Sequence, residues 1–376
     1  MRKTFKYRIY SNKEVISKVD NWLELCRNLY NGALANRIYA YKMQKASISS
    51  FTQINELPDI KESMPEYKQV GSQVLQGVLE RLNGAYKSFF RRVKRGGEEP
   101  GFPRFRGKNR YDSFTLKNTG WALDGRFLSI RNIGRFKMRL SRPMQGNIKT
   151  ITIRRTSTNK WYACFSCANV LEKRLPQSDK SIGIDVGIKS FLTDSEGGKV
   201  ENPKFLKHTL KELRVRQRKL ARAKKGSNRR KDTRLQLAKC YEKVVNQRKD
   251  FHHKLANQYV NKYGIIKVEN LQIRNMVKNH RLARDINDCA WGQFFEILTY
   301  KAEEAGREVI QINPRNTSRM CSECGEINHE LKLSDRKWTC LTCGTIHDRD
   351  VNAAVNIQRV GQTHQELTYA STQSVS

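Results

Sequence analysis

Cys321, Cys324, Cys340 and Cys343 form a C-x2-C-x15-C-x2-C array, the pattern in this chain that most restricts how it can fold. Each C-x-x-C turn presents two thiolates on one side, and two such turns facing each other close a tetrahedral S4 site of the zinc-ribbon type. Four protein ligands leave no open position, so the one Zn²⁺ expected here is structural and not catalytic. His329 and His347 lie nearby but are superfluous as ligands. Cys164 and Cys167 share the C-x-x-C spelling, yet "WYACFSCANV" reads as a strand, where residues three apart point to opposite faces; these two are read as packing residues. Nine cysteines in a reducing compartment point to metal binding or free thiols before disulfides.

Directly after the array comes an acidic "DRD" that opens a helix, and it has two distant counterparts. Asp185 sits in "SIGIDVGI", a strand whose neighbours Ile182, Ile184 and Val186 are destined for a core, where an ionised carboxylate is costly unless paired or bound to a cation. Glu269 repeats the pattern at the end of "GIIKVE", and Asp350 falls in the first turn of the final helix. Acids on an early strand, a later strand and a closing helix are what a divalent-metal nuclease requires: a cluster holding two Mg²⁺ ions ~4 Å apart around a phosphodiester. The alternative is that such acids cap helices or pair with arginines, a role that suits Asp348.

Charge names the partner class. The 72 Lys+Arg against 36 Asp+Glu give a formal net charge of +36, spread over all 376 residues. A compact fold with that charge repels itself unless a polyanion compensates it, so nucleic acid is expected and a membrane surface is the weaker alternative. No stretch approaches the ~20 apolar residues needed to span a bilayer, and "MRKTFKYRIY" has no apolar signal core. The expected location is cytoplasmic and nucleoid-associated.

Along the chain, "TFKYRIY" alternates as a strand, and "SNKE" forms a capping box from Ser11 to Glu14 before a helix to about Met43. After a short-helical or irregular stretch, a second amphipathic helix begins near Ser72. From Phe102 the texture becomes short β-like runs at the spacing of a small sandwich or barrel. There "GFPRFRGKNRYDSF" interleaves Phe102, Phe105, Tyr111 and Phe114 with arginines and a lysine, a pattern that serves either base stacking or a basic loop with core aromatics. A boundary falls at "LPQSDK". Beyond it, Lys207 to Arg234 carry thirteen Lys/Arg and two acids in a basic helical hairpin broken by "GSN", more consistent with phosphate contact than with a merely solvated face.

In their order, "GIDVG", "VENL", the two C-x-x-C pairs and "DRDVNAAVNI" resemble the split RuvC nuclease and inserted zinc ribbon of the TnpB family. These are transposon-encoded RNA-guided DNA endonucleases of the OrfB type, related to type V CRISPR effectors and long regarded as accessory transposases. "YRIYSNKEV", "CRNLYNGAL", "GFPRFRGK", "NQRKDFHHKLA" and "YKAEEAGREVIQINPRNTSRMCSECG" also resemble family segments, leaving only the tail from about Gly361 outside. The resemblance implies an α/β multidomain protein: a β-barrel wedge domain at 1–10 and 101–174, and a helical recognition lobe at 11–100. An RNase H-like RuvC nuclease domain would occupy 178–310 and 345–360, with the basic hairpin at 207–260. The inserted zinc ribbon would span 311–344 and a disordered tail 361–376. It further implies Asp185, Glu269 and Asp350 as ligands of two catalytic Mg²⁺, the second aspartate of "DRD" being chosen because it precedes x-N-A-A. The partners implied are a guide RNA from the transposon end and double-stranded target DNA beside a short motif; the sequence leaves the oligomeric state open, a monomer with its RNA being the expectation. Two rivals use the same basic surfaces: a nuclease-inactive RNA-guided repressor, and a guide-free zinc-ribbon transposase accessory protein. The intact acids favour the enzyme over both.

Overall fold

The computed structural model describes residues 1–96, 99–108, 110–332 and 334–360; the tail expected to be disordered, 361–376, lies outside the described residues. The chain divides into two compact units, Met1–Leu171 and Glu172–Ser376.

In the first unit, β1 (Lys3–Tyr10) leads into α1 (Lys13–Gln44), α2 (Ser50–Asn55), α3 (Leu57–Ser63), a 3-10 turn and α4 (Ser72–Arg95). Six strands follow: β2 (Ser113–Leu116), β3 (Trp121–Asp124), β4 (Phe127–Ile130), β5 (Gly134–Arg139), β6 (Asn147–Arg155) and β7 (Trp161–Ala168). Alternation in β1 buries Phe5, Tyr7 and Ile9 and leaves Lys6 and Arg8 on the other face. That apolar row lets β1 sit in mid-sheet, Phe5 opposite Phe165 on β7 and Ile9 opposite Met138 on β5. Val19, Trp22, Leu23, Cys26 and Tyr30 of α1 and Val74, Leu75, Val78, Leu79 and Leu82 of α4 belong to the same core, at the spacing of a one-sided helix.

Two expectations need correction. The α1 N-cap is Asn12, whose side chain accepts from the Val15 amide. Ser11 instead donates to the Arg135 carbonyl, so no Ser11–Glu14 capping box forms. The strands also form one antiparallel sheet in the order β2-β6-β7-β1-β5-β4-β3, and no pairing among the described residues joins β2 to β3. The ladder is open where the turn spacing suggested a sandwich or barrel. Spacing counts strands; closure depends on shear and twist, which it does not encode.

The second unit is built on a five-stranded mixed sheet. Its elements are β8 (Ser181–Asp185), β9 (Ser190–Asp194), β10 (Lys199–Glu201), α5 (Phe205–Arg222), α6 (Asn228–Lys262), β11 (Ile265–Glu269), α7 (Ile273–Met276), α8 (Ala283–Cys289), α9 (Trp291–Ala305), β12 (Glu308–Ile312), β13 (Lys337–Thr339) and β14 (Ile346–Asp348). A last helix, α10, covers 349–360. The order is β10-β9-β8-β11-β12, with β8, β11 and β12 parallel and β9 running antiparallel to both its neighbours, β8 and β10. Apolar residues of α6 and α9 pack with Ile182, Ile184, Ile266 and Val268. The α5–α6 hairpin buries little beyond Leu213, Cys240 and Val244 in its outer part, and leaves Tyr241 exposed. Its root is fixed by the buried Asp288, which accepts from the Leu206 and Lys207 amides and from Arg248. Among the described residues no helix is long and apolar enough to cross a membrane.

Candidate active site

Strand register does the first part of the assembly. Ile184 on β8 stands opposite Val268 on the parallel neighbour β11, so the next residues, Asp185 and Glu269, come side by side on one face at the carboxyl ends of both strands. Adjacent strands are ~5 Å apart, and the crevice beyond the carboxyl ends of parallel strands is where open α/β sheets bind ligands.

The closing helix supplies the third acid by a match of periods. Gln358 Nε2 donates to the Ser181 carbonyl (2.8 Å) and hydroxyl (3.0 Å). One helical turn earlier the Ala354 carbonyl lies so close to Gly183 that any Cβ there would collide with it. Four helical residues advance ~6 Å and two strand residues ~6.6 Å. The two elements therefore stay in step: Gln358 against Ser181, Ala354 against Gly183, and Asp350 opposite Asp185. From β11, the buried Lys267 donates to the Gln358 carbonyl at 2.6 Å, a cation at the helix C-terminus where the macrodipole favours it.

Electrostatics report the same convergence. The Asp185 carboxyl is raised well above the ordinary aspartate range, first by burial, then by the charges of Glu269 and Asp350; Arg349 and the Val186 amide oppose the shift. Burial also raises Glu269, against the Thr317 hydroxyl, which donates to its Oε1 at 2.6 Å. Arg336 Nη1 lies 3.1 Å from Asp350 Oδ1. Other buried acids are satisfied differently. Asp194 accepts from the Glu196 and Gly198 amides and the Tyr259 hydroxyl, and Asp288 caps α5. Asp185 is the one whose carboxylate neighbours raise it.

Within "DRD" the two aspartates do different work. Asp348 Oδ1 accepts from the Asp350 and Val351 amides, and its Oδ2 pairs with Lys199 at 2.7 Å, so its carboxylate is spent on capping α10. The charge felt at Asp185 is that of Asp350. Carboxylate oxygens suit a hard divalent cation, and a cation would relieve the mutual repulsion. The three acids are not drawn as tightly as the thiols, however. Among the described residues only Cys321, Cys324, Cys340 and Cys343 form a cluster of potential ligand atoms all within 4.8 Å of one another.

In that quartet Cys321 Sγ lies 3.7 Å from Cys343 Sγ, and Cys324 Sγ 3.6 Å from Cys340 Sγ. The two knuckles are copies: Gly325 N–H donates to Cys321 O and Gly344 N–H to Cys340 O. Both glycines have positive φ, 81° and 74°, the left-handed turn that lets the chain double back behind each sulfur pair. The donor set fits Zn²⁺. Cys343 is held down to about 6 by the Thr345 hydroxyl and then its amide. His347, expected to be superfluous, is buried against Trp338 with Nε2 3.0 Å from Cys321 Sγ, placed to support a thiolate and not to replace one.

Sequence reasoning missed what joins the two centres. Asn352 accepts from the Ser322 amide and donates to the Met320 carbonyl; Asn356 donates to the Thr317 and Met320 carbonyls. Thus α10 shows Asp350, Ala354 and Gln358 to the sheet and Asn352 and Asn356 to the base of the ribbon. The i, i+4 spacing of both sets was the available signal. Of the interleaved aromatics at 102–114, Tyr111 and Phe114 are core, while Phe102 and Phe105 are 44% and 56% exposed.

Residues 164–280 match a family model described as a probable transposase (OrfB_IS605), and 291–357 match the Cas12f1-like TNB domain. Residues 1–46 match a model described as a helix-turn-helix domain, although that stretch is here a strand and one unbroken helix. A Streptomyces pristinaespiralis protein named "Putative RNA-guided DNA endonuclease" is 31% identical over 96% of this chain and 90% of its own length. Escherichia coli K12 "Putative RNA-guided DNA endonuclease InsQ" is 27% identical over 95% and 92%. Sulfoacidibacillus thermotolerans "CRISPR-associated endodeoxyribonuclease Cas12f1" is 29% identical over 53% of this chain and 50% of its own length. The fold and sites thus define a nucleic-acid protein with a carboxylate-edged α/β sheet and a four-cysteine centre. The chain belongs to the TnpB family.

Proposed function

We propose that this protein is an RNA-guided DNA endonuclease whose hydrolytic centre is Asp185, Glu269 and Asp350. The observation that carries the reading is the in-step packing of α10 on β8, which brings Asp350 opposite Asp185 while register sets Glu269 beside it. The three carboxylates would hold two Mg²⁺, which when bound supply an activated water and stabilise the leaving oxygen. Thr317 orients Glu269, and Arg336 holds Asp350. Cys321, Cys324, Cys340 and Cys343 would hold one structural Zn²⁺, stiffening the ribbon against which Asn352 and Asn356 set α10.

In this reading 178–310 and 345–360 are an RNase H-like RuvC domain and 311–344 its inserted ribbon. Residues 1–10 with 101–174 act as a wedge domain, and 11–100 as a recognition lobe. Base pairing with a guide RNA from the transposon end supplies most target specificity, and the protein reads a short motif beside the target. The basic hairpin grips backbone phosphates, so binding weakens steeply with salt. The working form is a monomer with its RNA, free in the cytoplasm and on the nucleoid.

The test is cleavage of plasmid DNA by the protein purified with its RNA, in Mg²⁺ and in EDTA. The expected result is RNA-dependent, Mg²⁺-dependent cutting that Asp185→Ala abolishes. Guide-directed binding without cutting would leave the repressor; absence of a discrete RNA would leave the transposase accessory.

A further inference from the structure

The first unit contains a cavity of about 840 Å³ that the hydrolytic centre does not use. It lies among the C-terminal half of α1, the turn after it, α4 and Phe102. Its walls are aromatic: Tyr86 stacks with Phe90 at 6.2 Å and meets Phe102 edge-on at 5.5 Å. Three of the lining rings are open to solvent, Tyr41 at 61%, Phe90 at 60% and Phe102 at 44% exposure. Such exposure has no folding benefit, and exposed apolar clusters of this kind mark binding sites.

Arg37 gives the cavity its chemistry. Only 7% exposed, it donates from Nε to Gln53 Oε1 at 2.8 Å and lies over the Tyr86 ring at 5.2 Å. Its Nη2 is buried and has no hydrogen-bond partner. Lys42 and Lys87 also line the cavity, and no acidic residue does. With Arg37, Lys42 and Lys87 on its wall and exposed aromatic rings beside them, the cavity suits an anion attached to something flat and aromatic.

We propose that this cavity receives an unpaired nucleotide of the guide RNA, its base against Tyr86, Phe90 and Phe102 and its phosphate toward Arg37 and Lys87. RNA is favoured because its loops and bulges present bases already unstacked, whereas duplex DNA must first give up its stacking. The inference rests on the RNA-guided reading above and adds where in the first unit one nucleotide is held.

The experiment uses full-length protein with its guide RNA carrying 4-thiouridine, and in parallel target DNA carrying 4-thiothymidine. After irradiation, adducts are mapped by peptide mass spectrometry. RNA adducts on Tyr86, Phe90 or Phe102 are expected. Phe90→Ala should weaken RNA binding about tenfold, the scale of one lost base stack, and Phe90→Trp should restore it. Because Phe90 is exposed, the alanine variant should melt with the wild type; if it does not, the tryptophan variant and the adduct map decide. DNA adducts at these rings, adducts confined to the hairpin, or undiminished RNA binding by Phe90→Ala would each overturn the inference while leaving the guide reading intact. Wild-type protein that binds no RNA would overturn both.

Discussion

The sulfur quartet and the carboxylate triad border the same helix, yet they are built in opposite ways. The four thiols already lie within 4.8 Å of one another, each pair set by a local C-x-x-C-Gly turn, the second of them at the tip of the β13–β14 hairpin. The carboxylates come from two strands and a helix distant in sequence, and where they meet the charges of Glu269 and Asp350 raise the proton affinity of Asp185. A structural site gains from being closed before function begins. A site for a phosphodiester keeps its charges apart and accessible, and stores repulsion that a cation relieves.

The largest effect that would break this comparison lies at Asp185. Asp185→Asn should lower the cleavage rate by on the order of a thousandfold or more. The same change should raise the melting temperature of EDTA-treated protein by ~2–4 °C, as expected for removing ~1 kcal/mol of repulsion. Unchanged cutting, or a lower melting temperature, would show that the acids do not form one charged site.

Next comes the helix that both centres share. Gly183→Ala forces the Ala354 carbonyl away from β8 and should displace Asp350. A shift of ~1 Å in a catalytic group costs about a hundredfold in rate, and overpacking adds about 1–3 kcal/mol of destabilisation. Rate assays beside urea melts test both. Full activity with lost stability would mean that Asp350 is not seated by this contact.

Opening the sulfur site should act more gently. Cys340→Ser should lose zinc, read by elemental analysis, and slow cleavage about tenfold through loosening of the Asn352 and Asn356 contacts. Zinc loss with no change in rate would uncouple the two centres.

A group outside both centres serves as the control. His252 is buried between Phe191 and Phe294, with Nε2 3.1 Å from the Cys289 carbonyl, and burial lowers it to about 4. Its folded value lies below the unfolded ~6.5. Its contribution is therefore complete above pH ~6.5 and is lost as pH falls towards 4, by roughly 3 kcal/mol at most. His252→Gln should flatten that acid limb in denaturant titrations without changing zinc content.

Legibility followed the range of the interactions. The cysteines were readable because their geometry is set within a few residues, and Asp185 and Glu269 because a carboxylate ending an apolar strand conflicts with its own neighbourhood. Asn352, Asn356 and Gln358 were not, because polar residues on a helix look like a solvent face until the partners of that face are known. The same limit applied to Phe102 and Tyr111, alike in composition but opposite in burial, and to the cap that moved from Ser11 to Asn12.

Composition, periodicity and spacing thus determined a basic two-part protein with a preformed thiolate site and acids at two strand ends. Only the tertiary structure decided how the two aspartates of "DRD" divide their work, Asp348 capping α10 and Asp350 acting on Asp185. A helical turn and two strand residues advance by nearly equal lengths, and the bare backbone at Gly183 lets that match be used.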